Sequence, residues 1–171
     1  MEDKLTQITA REEVMQKIKR IAYEIAEDNY EEKEFVLAGI CKDTEGYAFA
    51  QLLYDVLKEI MTAEITLTHI ELNKQDPANS PVDLNLSKEQ IDGHVIIVAD
   101  DVANSGRTML YAIKPLLRYT PKKVRAAVLV ERTHKMFPVS PDYVGISLST
   151  TMHEHIQVVL SDKEHVGIYL S

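Results

Sequence analysis

Val95-Ile96-Ile97-Val98-Ala99 is an unbroken apolar run that ends on two carboxylates, Asp100 and Asp101, followed by small, turn-prone residues up to Gly106. A strand without polar alternation must be covered on both faces, as happens where helices flank a parallel sheet. On this reading Asp100 to Ser105 is the exit loop of a central strand and Gly106 to about Leu117 is the next helix. That helix is bent near Pro115, where a backbone donor is missing. Lys123 to Val130 is a second buried strand.

The preceding residues continue the alternation. Thr9 and Glu12 have the spacing of a capping box, and Val14, Ile18, Ile21, Ala22 and Ile25 then recur at helical intervals, which predicts a helix over 10–28. Periodicity alone does not say whether this stripe faces the core or a second subunit. Phe35 to Cys41 reads as a strand, Lys42 to Gly46 as a loop, and Ala50, Leu53, Leu57 and Ile60 as the buried face of a helix. Glu64 to Leu72 alternates like a strand, and Tyr143 to Ser149, Ile156 to Leu160 and Val166 to Leu170 read as further strands. Between them, Asn73 to Gln90 is rich in turn residues, with one short strand expected at Val82 to Leu86. An excursion of that length suits a lid over a neighbouring site. The pattern is α/β, a mainly parallel sheet flanked by helices, and 171 residues with 45% hydrophobic content suit one domain, 1–171.

Composition narrows the function. Cys41, the single cysteine, has no internal disulfide partner. No signal-like start or bilayer-length apolar run is visible, so the expected location is cytoplasmic, with no membrane partner. A net charge of −8 opposes general nucleic-acid binding, although eight lysines and arginines between Arg107 and Lys135 stand against Glu131 alone. His153 and His155 share a strand face but lack a third ligand, so surface histidines are the plainer reading.

Ligands of open parallel sheets bind at the carboxyl ends of the strands. There the helix start after Gly106 offers free N–H groups, and Ser105 and Thr108 offer hydroxyls, all suited to a phosphate. Two adjacent carboxylates would repel a bare phosphate, so Asp100 and Asp101 make sense facing sugar hydroxyls or a divalent cation. From the residues alone, a strand-end cap followed by an ordinary turn stays open. So does an acidic pair for metal-dependent phosphoryl transfer.

Val95 to Thr108, an apolar strand, two acids and a small-residue loop closing on Gly106-Arg107-Thr108, resembles the phosphoribosyl-pyrophosphate motif of the type I phosphoribosyltransferases. Leu129 to Gly145 and Gly39 to Leu53 extend the likeness over nearly the whole chain, and are most similar to the bacterial pyrimidine-operon regulators that double as uracil phosphoribosyltransferases.

The resemblance implies a fold with a small hood of short strands and loops, assigned to the excursion near 73–90. It also implies Mg²⁺ as cofactor, phosphoribosyl pyrophosphate and a nucleobase as partners, and a homodimer. By the same likeness Asp100 and Asp101 bind the ribose hydroxyls, or Mg²⁺ together with substrate. Val102 and Ala103 belong to the phosphoribosyl-pyrophosphate site, in which Asn104, Ser105, Gly106, Arg107 and Thr108 wrap the 5′-phosphate. Lys42, Asp43, Thr44, Glu45 and Gly46 form the pyrophosphate loop, and Glu131, Arg132, Tyr143 and Val144 lie near the base.

Three departures shape the expectation. Asp43 and Glu45 stand in a pyrophosphate loop where carboxylates should weaken binding until Mg²⁺ lies between. Asn104 cannot act as a general base. Glu131 is an acid where 6-oxopurine enzymes carry a lysine. The last two lean toward uracil, with a 6-oxopurine as the alternative base. A regulatory module that binds RNA, or a catalytically weak nucleotide sensor, is the rival class.

Overall fold

The computed structural model describes residues 5–171. Five strands form a parallel sheet in the order β3-β2-β4-β5-β6: β2 (Glu34–Ile40), β3 (Glu64–Ile70), β4 (Val95–Ala103), β5 (Lys123–Arg132) and β6 (Tyr143–Leu148). β4 is central, and its alternate residues serve two separate cores. Val95, Ile97 and Ala99 pack with helices α1 (Arg11–Asp28) and α2 (Glu45–Ile60), while Ile96 and Val98 pack with Met109, Ala112 and Leu116 on the opposite face. Burial on both faces is why the run carries no polar alternation.

The apolar stripe of α1 is buried inside the chain, with Val14, Ile18, Ile21, Ala22 and Ile25 all at 0% exposure, so it is a core face and is not available to a second subunit. The expected capping box is not formed. The N-cap is Ala10, without a side-chain hydrogen bond, because Thr9 belongs to a strand, β1 (Thr6–Ala10), where it pairs with Ile168. β1, β8 (Gly167–Leu170) and β7 (Ile156–Val159) make a three-stranded antiparallel sheet in the order β1-β8-β7. The small accessory sheet therefore comes from these segments and not from 73–90. Val82 to Leu86 is not a strand, and its region makes only an isolated bridge between Glu71 and Asp83 before a single helical turn, α3 (Lys88–Ile91). Ser87 and Gln90 form a complete capping box on that turn.

Past the central strand, α4 (Arg107–Ile113) gives way to a 3₁₀ turn, Lys114–Arg118, that holds Pro115, so the expected bend is a change of helix type. A polar network fastens α1 to the sheet. Asp28 accepts from the Tyr143 hydroxyl at 2.5 Å, lies 3.3 Å from the Lys123 ammonium and 3.5 Å from Arg125.

The Tyr143 bond, helped by Lys123 and Arg125, holds the Asp28 carboxyl below its usual range. A depressed carboxyl stabilises the fold above its unfolded pKa, and this stabilisation disappears as pH falls through the folded value. Asp28→Asn should therefore cost about 1 kcal/mol at neutral pH, a figure kept small because the carboxylate is partly exposed. The gap to wild type should close once pH falls below that depressed folded value and both forms are neutral. Urea melts at several pH values measure this, and a gap that stayed constant into acid would refute it. Among the described residues no helix is long and apolar enough to cross a membrane.

Candidate active site

β4 does not end at Ala99. Val102 and Ala103 still pair with Val130 and Glu131 of β5, so Asp100 and Asp101 are held on strand backbone, not in a loop as the sequence suggests. Asp100 is 3% exposed. Its Oδ1 accepts the Asp101 N–H at 3.0 Å, and both its oxygens take the Lys74 ammonium, at 3.0 and 3.3 Å. The same ammonium is 3.9 Å from Asp101. Burial, then the neighbouring Asp101 charge, push the Asp100 carboxyl well above its ordinary range, with Lys74 opposing them. Burial also works against the Lys74 charge, but the two aspartates outweigh it and raise that pKa. Lys74 thus favours its charged form, while burial works against the charge on Asp100.

Beyond Ala103 the chain turns through Asn104 and Ser105 to Gly106, whose φ of +85° is a left-handed conformation that disfavours a side chain. Gly106 is the N-cap of α4, and the Arg107 N–H donates to Ser105 Oγ at 3.3 Å. A cleft is lined by Asp100, Val102, Ala103, Asn104, Ser105, Gly106, Arg107, Thr108 and Met109. The expected phosphate-facing residues thus line one concavity together with the acid. The segment after β5 lies across this turn, with the Met136 and Phe137 N–H groups donating to the Ser105 carbonyl at 2.9 and 3.0 Å.

The second loop comes from β2. Cys41 has φ +59°, and its buried thiol, its pKa raised by that burial, donates to the Leu72 carbonyl. Thr44 caps α2 by accepting from the Gly46 N–H, and its hydroxyl donates to Cys41 O at 2.8 Å. The objection raised by Glu45 is removed by the geometry. Its carboxylate accepts the N–H groups of Leu160 and Ser161 at 2.8 and 2.9 Å and the Ser161 hydroxyl at 2.5 Å, so it is committed to a turn after β7. Asp43 remains exposed. Gly46 sits so close to β4 that a Cβ there would lie 2.8 Å from the Ile40 carbonyl and nearer still to Asp100 Oδ1. Lys42, Asp43, Thr44, Glu45, Lys74, Asp101 and Ser161 share a second cleft, bringing the two loops to one side of the acidic pair.

The base-side residues divide. Val144 packs on the face that holds Ala103, Met109 and Val139. Tyr143 points to the other face and is a core residue, 5% exposed with its hydroxyl on Asp28, so its side chain does not share a face with Val144. Neighbouring strand residues face opposite ways, and only one of the two can serve. Glu131 accepts from the Ser147 hydroxyl at 3.2 Å and pairs with Lys135 at 3.4 Å. Arg132 ties down Thr150 and the Thr151 carbonyl. Sequence reasoning missed Lys74 and Lys135. Nothing in a turn-rich segment marks Lys74 as different from a solvated lysine, and the Glu131–Lys135 pair, made across a strand end and its following loop, carries no local spacing signal either.

Among the described residues no group of three or more His, Cys, Asp or Glu is placed to hold a metal. Asp100 and Asp101 supply hard oxygen donors, so they suit Mg²⁺, which commonly takes one or two carboxylates and completes its shell with water and substrate oxygens.

A phosphoribosyl transferase domain matches residues 4–164. Bifunctional protein PyrR of Streptococcus thermophilus (strain CNRZ 1066) is 36% identical over 156 residues, covering 88% of this chain and 89% of that one. Bifunctional protein PyrR of Ligilactobacillus salivarius (strain UCC118) is 35% identical over 155 residues, 84% of each. Among solved structures, the hypoxanthine phosphoribosyltransferase of Trypanosoma cruzi superposes with a TM-score of 0.79 at 18% identity, over 96% of this chain and 95% of that one. A hypoxanthine-guanine phosphoribosyltransferase from Bacillus anthracis gives 0.75 at 19%, over 97% and 96%. At those identities the structural likeness speaks for the fold alone. With a domain match across nearly its whole length and relatives above one-third identity, the chain belongs to the phosphoribosyltransferase family.

Proposed function

We propose that the chain transfers the phosphoribosyl group of 5-phosphoribosyl 1-pyrophosphate to a nucleobase nitrogen, with uracil preferred, and releases pyrophosphate. The observation that carries this reading is the convergence of the Asp100–Asp101 pair, the Asn104–Thr108 turn and the Lys42–Gly46 loop on adjoining clefts. The turn's N–H groups and the Ser105 and Thr108 hydroxyls suit the 5′-phosphate. Asp100 and Asp101 accept from the ribose hydroxyls, or hold Mg²⁺ with the substrate. When bound, Mg²⁺ supplies neutralising charge for the leaving pyrophosphate.

The base nitrogen attacks the anomeric carbon, the bond to pyrophosphate breaks, and the nitrogen's proton passes to solvent because Asn104 cannot take it. Catalysis is then mostly positioning and charge stabilisation.

Two residues support uracil, Asn104 and Glu131, and one works against it. The Lys135 ammonium beside Glu131 gives the strand end a donor as well as an acceptor. A panel of uracil, orotate, hypoxanthine, guanine, xanthine and adenine with Mg²⁺ decides between them. Uracil is expected to give the highest kcat/KM, because a wrong base leaves buried polar groups unpaired. Higher turnover on hypoxanthine or guanine would overturn the base assignment and leave the phosphoribosyl site standing.

RNA binding has less support than the charge count suggests. Lys122 pairs with Glu32, Lys123 with Asp28, Arg125 with Asp142 and Lys135 with Glu131, so half of the basic segment is neutralised within the fold.

A further inference from the structure

The 73–90 segment is fastened unevenly. Its later part is stitched to β3: Asp83 and Glu71 exchange backbone hydrogen bonds at 2.8 and 2.9 Å, Asn85 Nδ2 donates to the His69 carbonyl, and the Thr68 hydroxyl donates to the Asn85 carbonyl. Its earlier part is organised by local turns, with the Asn73 side chain accepting from the Gln75 and Asp76 N–H groups and Asn79 donating to Asp76. From that earlier part Lys74 reaches down to the acidic pair.

An ammonium 3.0 and 3.3 Å from both oxygens of a buried carboxylate, and 3.9 Å from the next one, occupies the volume in which a hard cation would share those oxygens. Two adjacent carboxylates, one of them buried, are unfavourable without a counter-charge. Lys74 supplies it from within the chain. Asp100 Oδ1 sits in the space that a side chain at position 46 would take, which Gly46 leaves open to it.

We propose that Lys74 is a built-in stand-in cation: it holds the acidic pair before substrate arrives, and must leave Asp100 when a divalent cation or the ribose hydroxyls take the same oxygens. The inference rests on the reading that the pair faces a metal or a sugar. Ammonium and metal exclude each other, so the lysine weakens metal binding and the metal loosens the lysine, by the same factor. Lys74 also lines the cleft it shares with Lys42, Thr44 and Asp101. The segment that carries Lys74 is thereby coupled to occupancy of the pair. Lys74 is a positioning residue in this scheme, acting through Asp100.

The test measures Mn²⁺ binding to the whole chain without sugar pyrophosphate, reading free Mn²⁺ by electron paramagnetic resonance. Lys74→Met should bind Mn²⁺ about five- to a hundredfold more tightly than wild type, the usual range for coupled sites. A lysine whose role was only to hold the segment in place would give weaker binding or no change. Lys74→Gln retains a hydrogen-bond donor for Asp100 and should also tighten binding, which secures the comparison if the Met variant does not fold. Lys74→Arg keeps the charge and should stay near wild type.

Equal or weaker affinity in folded Met and Gln variants overturns the proposal, as does tightening that persists in the Arg variant. Failure of wild type to transfer phosphoribosyl groups would remove the proposed reaction and leave this metal comparison standing. Mn²⁺ affinity indifferent to Lys74 would do the reverse.

Discussion

Changing Asp100 and Asp101 together to asparagine should lower phosphoribosyl transfer by about a thousandfold or more while the chain stays folded, since losing charge-stabilising groups in a preorganised site typically costs 10²–10³ each. The two amides keep the shape of the acids and the β4–β5 pairing that frames them, in which Asp100 lies opposite Val128. They lose the full charge that a metal or strengthened ribose hydrogen bonds require. Folding should change less than turnover, because the unfavourable burial of the Asp100 charge disappears along with its partner for Lys74. Pyrophosphate release and circular dichroism, measured on one preparation, separate the two effects. Release at the wild-type rate would sink the assignment.

Gly46→Ala is the second large effect, and its origin is steric. The added methyl would meet the Ile40 carbonyl at 2.8 Å and press harder on Asp100 Oδ1. One obstacle is backbone and the other is a carboxylate held by Lys74 and the Asp101 N–H, so neither yields cheaply. Overpacking of this kind costs about 1–3 kcal/mol. Relief has to come from moving α2 or turning Asp100, and a displacement of about 1 Å at a catalytic group can cost on the order of a hundredfold in rate. Gly93→Ala makes a useful comparison. Its φ of +75° is strained for alanine, yet the space around it is open, so it should cost some stability and little activity. A Gly46→Ala variant with wild-type melting and kcat/KM would show that the apposition of α2 and Asp100 is not tight.

What the sequence disclosed follows the range over which each feature is determined. Val95 to Thr108 was legible because strand, acids and turn are contiguous, and the two-sided burial of β4 is written in its composition. The α1 stripe was legible for the same reason, although only packing could say that it faces inward. Thr9 misled because its pattern with Glu12 is a local signal, and a distant strand, β8, won its backbone for sheet pairing. Tyr143 misled because a likeness places the position, whereas strand alternation decides the face. Glu45 looked like a liability in a pyrophosphate loop until the turn at Leu160 and Ser161, more than a hundred positions away, appeared as its partner. Lys74 carries no local sign of its role.

The bonds from Glu45 to Leu160 and Ser161 have a consequence for the order in which the molecule is assembled. Chain regions separated by |i−j| of 115 and 116 must meet before the Lys42–Gly46 loop is pinned, and β1 waits similarly for β8. Contacts of such separation form late, because closing long loops costs entropy before any contact compensates it. During synthesis, at about 5–20 residues per second, the central strands from β2 to β5 can pair while the distal turn is still unmade. The expected order is therefore the central strands with their acidic pair first, and the pinned Lys42–Gly46 loop afterwards.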